Sequence, residues 1–124
     1  MNETQKCCDG SPKMIFPCSG AADLGEIADR VARRLTKTGV GKMFCLAGVG
    51  GRVDEIVTKA KSASIMLAID GCDFDCAKKT LELAGFNNVK HVRITDLGLE
   101  KGSSPPTHEN MGLVLKRAEE SLTG

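Results

Sequence analysis

A chain of 124 residues with 41% hydrophobic content has the length of one domain and can bury a core of its own without disulfide staples. Seventeen basic against sixteen acidic residues leave a net charge of +1 with no basic block, and the aromatics are four Phe with no Trp or Tyr, which argues against nucleic-acid binding. No apolar run approaches the ~18 residues of a membrane span, and Met1–Asp9 lacks the basic-then-apolar order of a signal peptide, so a cytoplasmic location and no membrane partner are expected.

Met1–Pro12 reads as a polar arm carrying the adjacent pair Cys7 and Cys8, ahead of one α/β domain over residues 13–124. Met14-Ile15-Phe16 is a first strand, ended by Pro17-Cys18-Ser19-Gly20. Leu24, Ile27, Ala28, Val31 and Leu35 then recur at helical spacing with Asp29, Arg30, Arg33 and Arg34 between them, and Gly39 closes that helix. A second strand is expected over Lys42–Ala47, then a glycine loop at Gly48-Val49-Gly50-Gly51 and a shorter helix with Val53, Ile56, Val57 and Ala60 on one face. Ser64–Ile69 is apolar on both faces, as a central parallel strand should be. Asp70-Gly71-Cys72 ends it, and a third helix runs from Asp73 to Ala84 with Gly85 at its end. Val89–Ile94 is a more polar strand nearer an edge, and Asp96–Pro106 is a loop. Thr107 is placed to cap a last helix with Met111, Val114, Leu115, Ala118 and Leu122 on its face.

Strand and helix alternate throughout. That order implies a small doubly wound, Rossmann-like or flavodoxin-like fold, with about four parallel strands in the order 2-1-3-4, right-handed crossovers and helices on both faces.

In a reducing cytoplasm six cysteines point to metal or redox chemistry before structural disulfides. Parallel strands all point one way, so Cys18, Cys45, Cys72 and Cys76 converge on the carboxyl edge, where open α/β sheets bind ligands. Cys18 and Cys72 would flank the switch point between strands one and three. The spacing Cys72-x-x-x-Cys76 predicts two sulfurs on one helix face. Helix starts after Cys18 and Cys72 would offer a thiolate free backbone N–H groups and a positive dipole end. Four thiolates at one point suit tetrahedral zinc, and all-sulfur ligation suits an iron–sulfur cluster equally.

A metal-free alternative makes Cys18 or Cys72 the reactive thiolate of a thiol-redox protein or thiol enzyme, with Cys76 or the Cys7-Cys8 pair resolving it. Free cysteine also packs as a small hydrophobe, and Cys45, between Phe44 and Leu46, fits a core as well as a metal site. A three-cysteine zinc site open to water would drop Cys45 first. Cys18 is a poor phosphatase nucleophile, because Leu24 stands where a phosphate-binding arginine would be needed.

The glycine loop lacks the order of a nucleotide fingerprint, and a tight strand-to-helix turn explains it equally well. Asp70 is placed to cap the following helix or to sit behind a metal ligand. Asp73 and Asp75 suit a helix N-terminus. His91 is read as a packing or surface histidine, and His108 as a loop residue or, alternatively, a fifth ligand. No general acid or base stands out, so no reaction is assigned.

Ile69-Asp70-Gly71-Cys72, followed by Cys76-Ala77-Lys78-Lys79, resembles the DGC-domain family, a small prokaryotic family that takes its name from this tripeptide. Pro17-Cys18-Ser19-Gly20-Ala21-Ala22, Cys45-Leu46-Ala47-Gly48 and Thr95-Asp96-Leu97-Gly98 also look like its pattern, so the resemblance runs from about Met14 to the C-terminus. The resemblance implies zinc chelation by four cysteines, which here are Cys18, Cys45, Cys72 and Cys76. The Cys7-Cys8 pair has no place in that pattern. No reaction, protein partner or oligomeric state follows from it.

Overall fold

Alternation along the strands sets the layers. In the computed structural model, which describes residues 11–124, β1 (Lys13–Pro17), β2 (Lys42–Met43), β3 (Ile65–Asp70) and β4 (Val89–Arg93) form one parallel sheet. Its strand order is β2-β1-β3-β4, as expected. Successive side chains of a strand point to opposite faces. Ile15, Leu67, Ile69 and Val92 therefore pack on one face against α1 (Asp23–Lys37) and α5 (His108–Thr123). Met14, Phe16, Met66 and Ala68 pack on the other against α2 (Leu46–Gly50), α3 (Asp54–Ala60) and α4 (Cys76–Leu83). β3 is central and buried on both faces, while β4 takes the edge. Among the described residues no helix is long and apolar enough to cross a membrane. Cys7 and Cys8 lie outside the described residues.

Three local expectations are corrected. β2 is two residues long and does not run to Ala47. After the Phe44 N–H donates to Ile15 O at 2.9 Å, the chain turns out of the sheet at Cys45, whose Sγ accepts from the Gly48 N–H at 3.3 Å. A Cβ at Gly48 would stand 2.8 Å from the Ile56 side chain, so glycine there lets α2 close onto α3 where a loop was expected. The helix expected from Asp73 begins instead at Cys76, because Asp75 has a left-handed φ of 54° that no helix interior accepts.

The start of α1 lies unusually close to the ends of β1 and β3. A Cβ on Gly71 would stand 2.9 Å from Leu24 Cβ, and one on Gly25 would collide with the backbone of Gly20. Neither obstacle is a flexible side-chain end. Gly25→Ala is accordingly expected to cost about 2 kcal/mol by overpacking, read from the urea midpoint. An unchanged midpoint would mean that the Gly20 turn yields freely.

Candidate functional site

β1 and β3 deliver the site side by side. The Cys18 N–H donates to Ile69 O at 2.9 Å, so the ladder continues one residue past β1. Asp70, Gly71 and Cys72 follow from β3 at the same level. Between these ends opens a cavity of about 370 Å3. Cys18, Cys72 and Cys76 line it, together with Leu24, Phe74 and Lys101. Cys18 and Cys72 are partly buried there and Cys76 is exposed.

Three of the four predicted thiols thus share one cavity. Cys45 stands apart from it, exposed, as the cap of α2. Cys72 and Cys76 do not share a helix face: Cys72 lies in the turn after β3, and Cys76 is the first residue of α4. Among the described residues no three thiols lie within 4.8 Å of one another; the group that meets this limit is Asp70, Asp75 and His91.

That group braces the turn carrying Cys72 and Cys76. Asp70 is 1% exposed. Its Oδ1 accepts from the Ala77 N–H at 2.7 Å and its Oδ2 from the Lys78 N–H at 3.1 Å, so it caps α4 from the end of β3, as expected of it. Its Oδ2 also meets His91 Nε2 at 2.9 Å, and the same nitrogen lies 3.6 Å from Asp75 Oδ1. Asp75 does not cap the helix with its side chain. Instead it takes a two-point pair from Arg93, with Nε 2.9 Å from Oδ1 and Nη2 2.6 Å from Oδ2. The Arg93 hydrogen bonds hold the Asp75 carboxyl below its ordinary range; burial opposes this, and the charges of His91, Arg93 and Lys78 add to it. The Asp70 and Asp75 oxygens are already engaged by backbone N–H groups and a guanidinium, which favours a structural brace over a cation site.

Sequence reasoning reads His91 only as a packing or surface histidine and does not single out Arg93, nor Asp23 and Lys101. The signal for His91 and Arg93 was two polar residues spaced i, i+2 on β4, hence on one face, beside a strand ending in Asp70.

Lys101 reaches the cavity from the loop after β4. Its Nζ donates to Cys72 Sγ at 3.8 Å and stands 5.0 Å from the centre of the Phe74 ring. Asp23 ties that loop down. Its Oδ2 accepts from the Gly102 N–H at 2.9 Å and the Ser104 N–H at 3.0 Å, and its Oδ1 accepts from the Leu24 N–H at 2.8 Å. These backbone donors, Gly102 foremost, hold the Asp23 carboxyl below its usual 3.8, against a smaller opposing effect of burial. A carboxyl with a depressed folded-state pKa stabilises above its unfolded value, and that contribution disappears as pH falls through the folded one. Hydrogen-exchange protection of the Gly102 and Ser104 amides is therefore expected to drop below about pH 4. Asp23→Asn should remove the acid dependence of that protection; an unchanged pH profile in the variant would exclude the tether.

His108 is not in the loop. It is the first residue of α5, behind the cap in which Thr107 Oγ1 accepts from the Asn110 N–H at 3.1 Å, and it does not line the thiol cavity.

The family model described as the DGC domain matches residues 14–117. The anaerobic and virulence modulator AnvM of Pseudomonas aeruginosa is 34% identical over 88 residues, an alignment covering 71% of this chain and 67% of that protein. No solved structure matches the chain.

Proposed function

The chain belongs to the DGC domain family, and on that premise we propose that it binds zinc through cysteine thiolates at the carboxyl edge of its sheet. The observation that carries this reading is the cavity shared by Cys18, Cys72 and Cys76. Three sulfur donors from two strand-to-helix turns have the softness that zinc selects, and the carboxylates of Asp70 and Asp75, which line the same cavity, are engaged by backbone N–H groups and by Arg93. Cys45 belongs to the same sheet edge and is the fourth donor the site would recruit. Bound zinc would cross-link the β1–α1 and β3–α4 turns, which couples metal binding to the stability of the edge. The role is regulatory or structural in this reading, in a reducing cytoplasm. The name of the relative, an anaerobic and virulence modulator, supports regulation over catalysis.

A second reading rests on Lys101, whose ammonium donates to Cys72 Sγ. There Cys72 is a redox thiolate and Cys18 or Cys76 its resolving partner.

Elemental analysis of full-length protein, purified anaerobically without added metal, tests both. About one zinc per chain, lost in Cys18→Ser and in Cys72→Ser, is the expected result. Visible absorbance with bound iron would replace zinc by an iron–sulfur cluster. Metal-free protein with every thiol free to alkylation would overturn metal binding in favour of the redox reading.

A further inference from the structure

A second cavity, also of about 370 Å3, lies away from the thiols, between the C-terminal half of α1 and the first turns of α5. Val31 from α1 and Met111 and Leu115 from α5 give it an apolar lining. Arg30, Arg33, Arg34 and Lys37 also line it from α1, and His108 does so from α5; none of the lining residues is acidic. Positions 30, 33, 34 and 37 follow the i, i+3, i+4, i+7 spacing of one helix face.

Two of these charges are answered on their own helix, Arg30 by Glu26 at 2.7 Å and Arg33 by Asp29 at 2.7 Å. Arg34 and Lys37 make no ion pair or side-chain hydrogen bond among the described residues. Both stand in the last turn of α1, where cations complement the helix dipole. That complement accounts for cations at a helix end. It does not account for an apolar concavity between them and α5. Gly112 contributes to that space: α5 presents no side chain there, and a Cβ added to it would meet nothing within 4 Å.

We propose that this groove binds a small amphipathic anion, with its apolar body on Val31, Met111 and Leu115 and its carboxylate or phosphate held by Arg34 and Lys37. The volume falls within the ~300–1,000 Å3 of small-molecule pockets, whereas a stable protein partner needs a patch of roughly 800 Å2 per side. Guanidinium and ammonium donors form charge-assisted hydrogen bonds, which gain strength beside an apolar floor. The groove takes the far half of α1 from Leu24 and Gly25, which line the thiol cavity, so it stands independently of the metal reading.

The test is a 15N–1H correlation titration of the full chain with octanoate, with octyl phosphate and octanol in parallel arms. Shifts are expected to cluster at residues 31–37 and 108–115 and to saturate at about 1 mM or below. Either anion binding in preference to octanol supports the site. Arg34→Gln combined with Lys37→Gln should weaken binding at least about tenfold. Gly112→Leu should abolish it by filling the groove. Neither variant removes a partner or meets a neighbour at its Cβ, and circular dichroism checks that each is folded. The proposal fails if octanol binds as tightly as octanoate, if the double variant binds unchanged, or if shifts fall elsewhere. It also fails if no small anion binds while an acidic amphipathic peptide does.

Discussion

Replacing Asp70 by alanine is expected to lower stability by about 3 kcal/mol, the largest effect of any single side chain outside the apolar core. The carboxylate is almost wholly buried and serves three donors at once: two backbone N–H groups of the first turn of α4 and the imidazole of His91. Alanine would leave all three without this acceptor, the Ala77 N–H buried and the other two partly so. In a chain of this length the loss corresponds to a fall in Tm of roughly 10–15 °C. Asp70→Asn keeps one acceptor oxygen and should cost about half as much. A cycle with His91→Ala separates the contributions: the coupling between positions 70 and 91 should be about 1 kcal/mol, leaving most of the loss in the helix cap. A fall of less than about 1 kcal/mol for Asp70→Ala would mean that α4 holds its first turn without the cap. Because Cys76 opens α4, the variant should also loosen the turn that presents two of the cavity thiols. Thus the aspartate of the Asp70-Gly71-Cys72 tripeptide anchors the next helix, the glycine lets Leu24 of α1 close in on the end of β3, and the cysteine lines the cavity.

The order of elements was legible because its signals are local and periodic. β3 is apolar on successive residues, as a strand covered on both faces must be, and the apolar positions of α1 and α5 repeat at helical spacing. Parallel strands then forced Cys18 and Cys72 to one edge. What could not be read was decided by contacts distant in sequence. Phe44-Cys45-Leu46-Ala47 is a short apolar run that suits strand or helix equally. The close approach of Gly48 to Ile56 tips it to helix, with the Cys45 sulfur accepting from a backbone N–H and outside the cavity lining. Cys72 and Cys76 are spaced for one helix face, yet the left-handed Asp75 between them delays the helix. Its carboxylate is gripped by Arg93 from β4, eighteen residues on. The brace around His91 needs the β3–β4 register, which places Asp70 opposite Arg93 and Ala68 opposite His91.

Zinc-loaded protein is expected to melt roughly 15 °C above the stripped protein. A ligand present at a thousandfold excess over its Kd adds about 4 kcal/mol to the folded state. Cys72→Ser and Cys18→Ser should each erase that difference. Cys45→Ser should retain part of it, since Cys45 stands outside the cavity that the other three share. Calorimetry of loaded and chelator-treated samples, run for the native sequence and the three variants, reads all of this. Coincident melts for the native sequence would end the structural role of the metal, and an equal loss in all three variants would make Cys45 a full ligand.

The stripped protein should still fold, unlike a zinc finger. Apolar clusters on both faces of the sheet are complete without any metal, and Cys18 alone of the four thiols packs against them, touching both. Metal loss would therefore act on the edge and spare the core, loosening the two turns that carry Cys18, Cys72 and Cys76. Such a site would change the order of one surface while the fold beneath it persists.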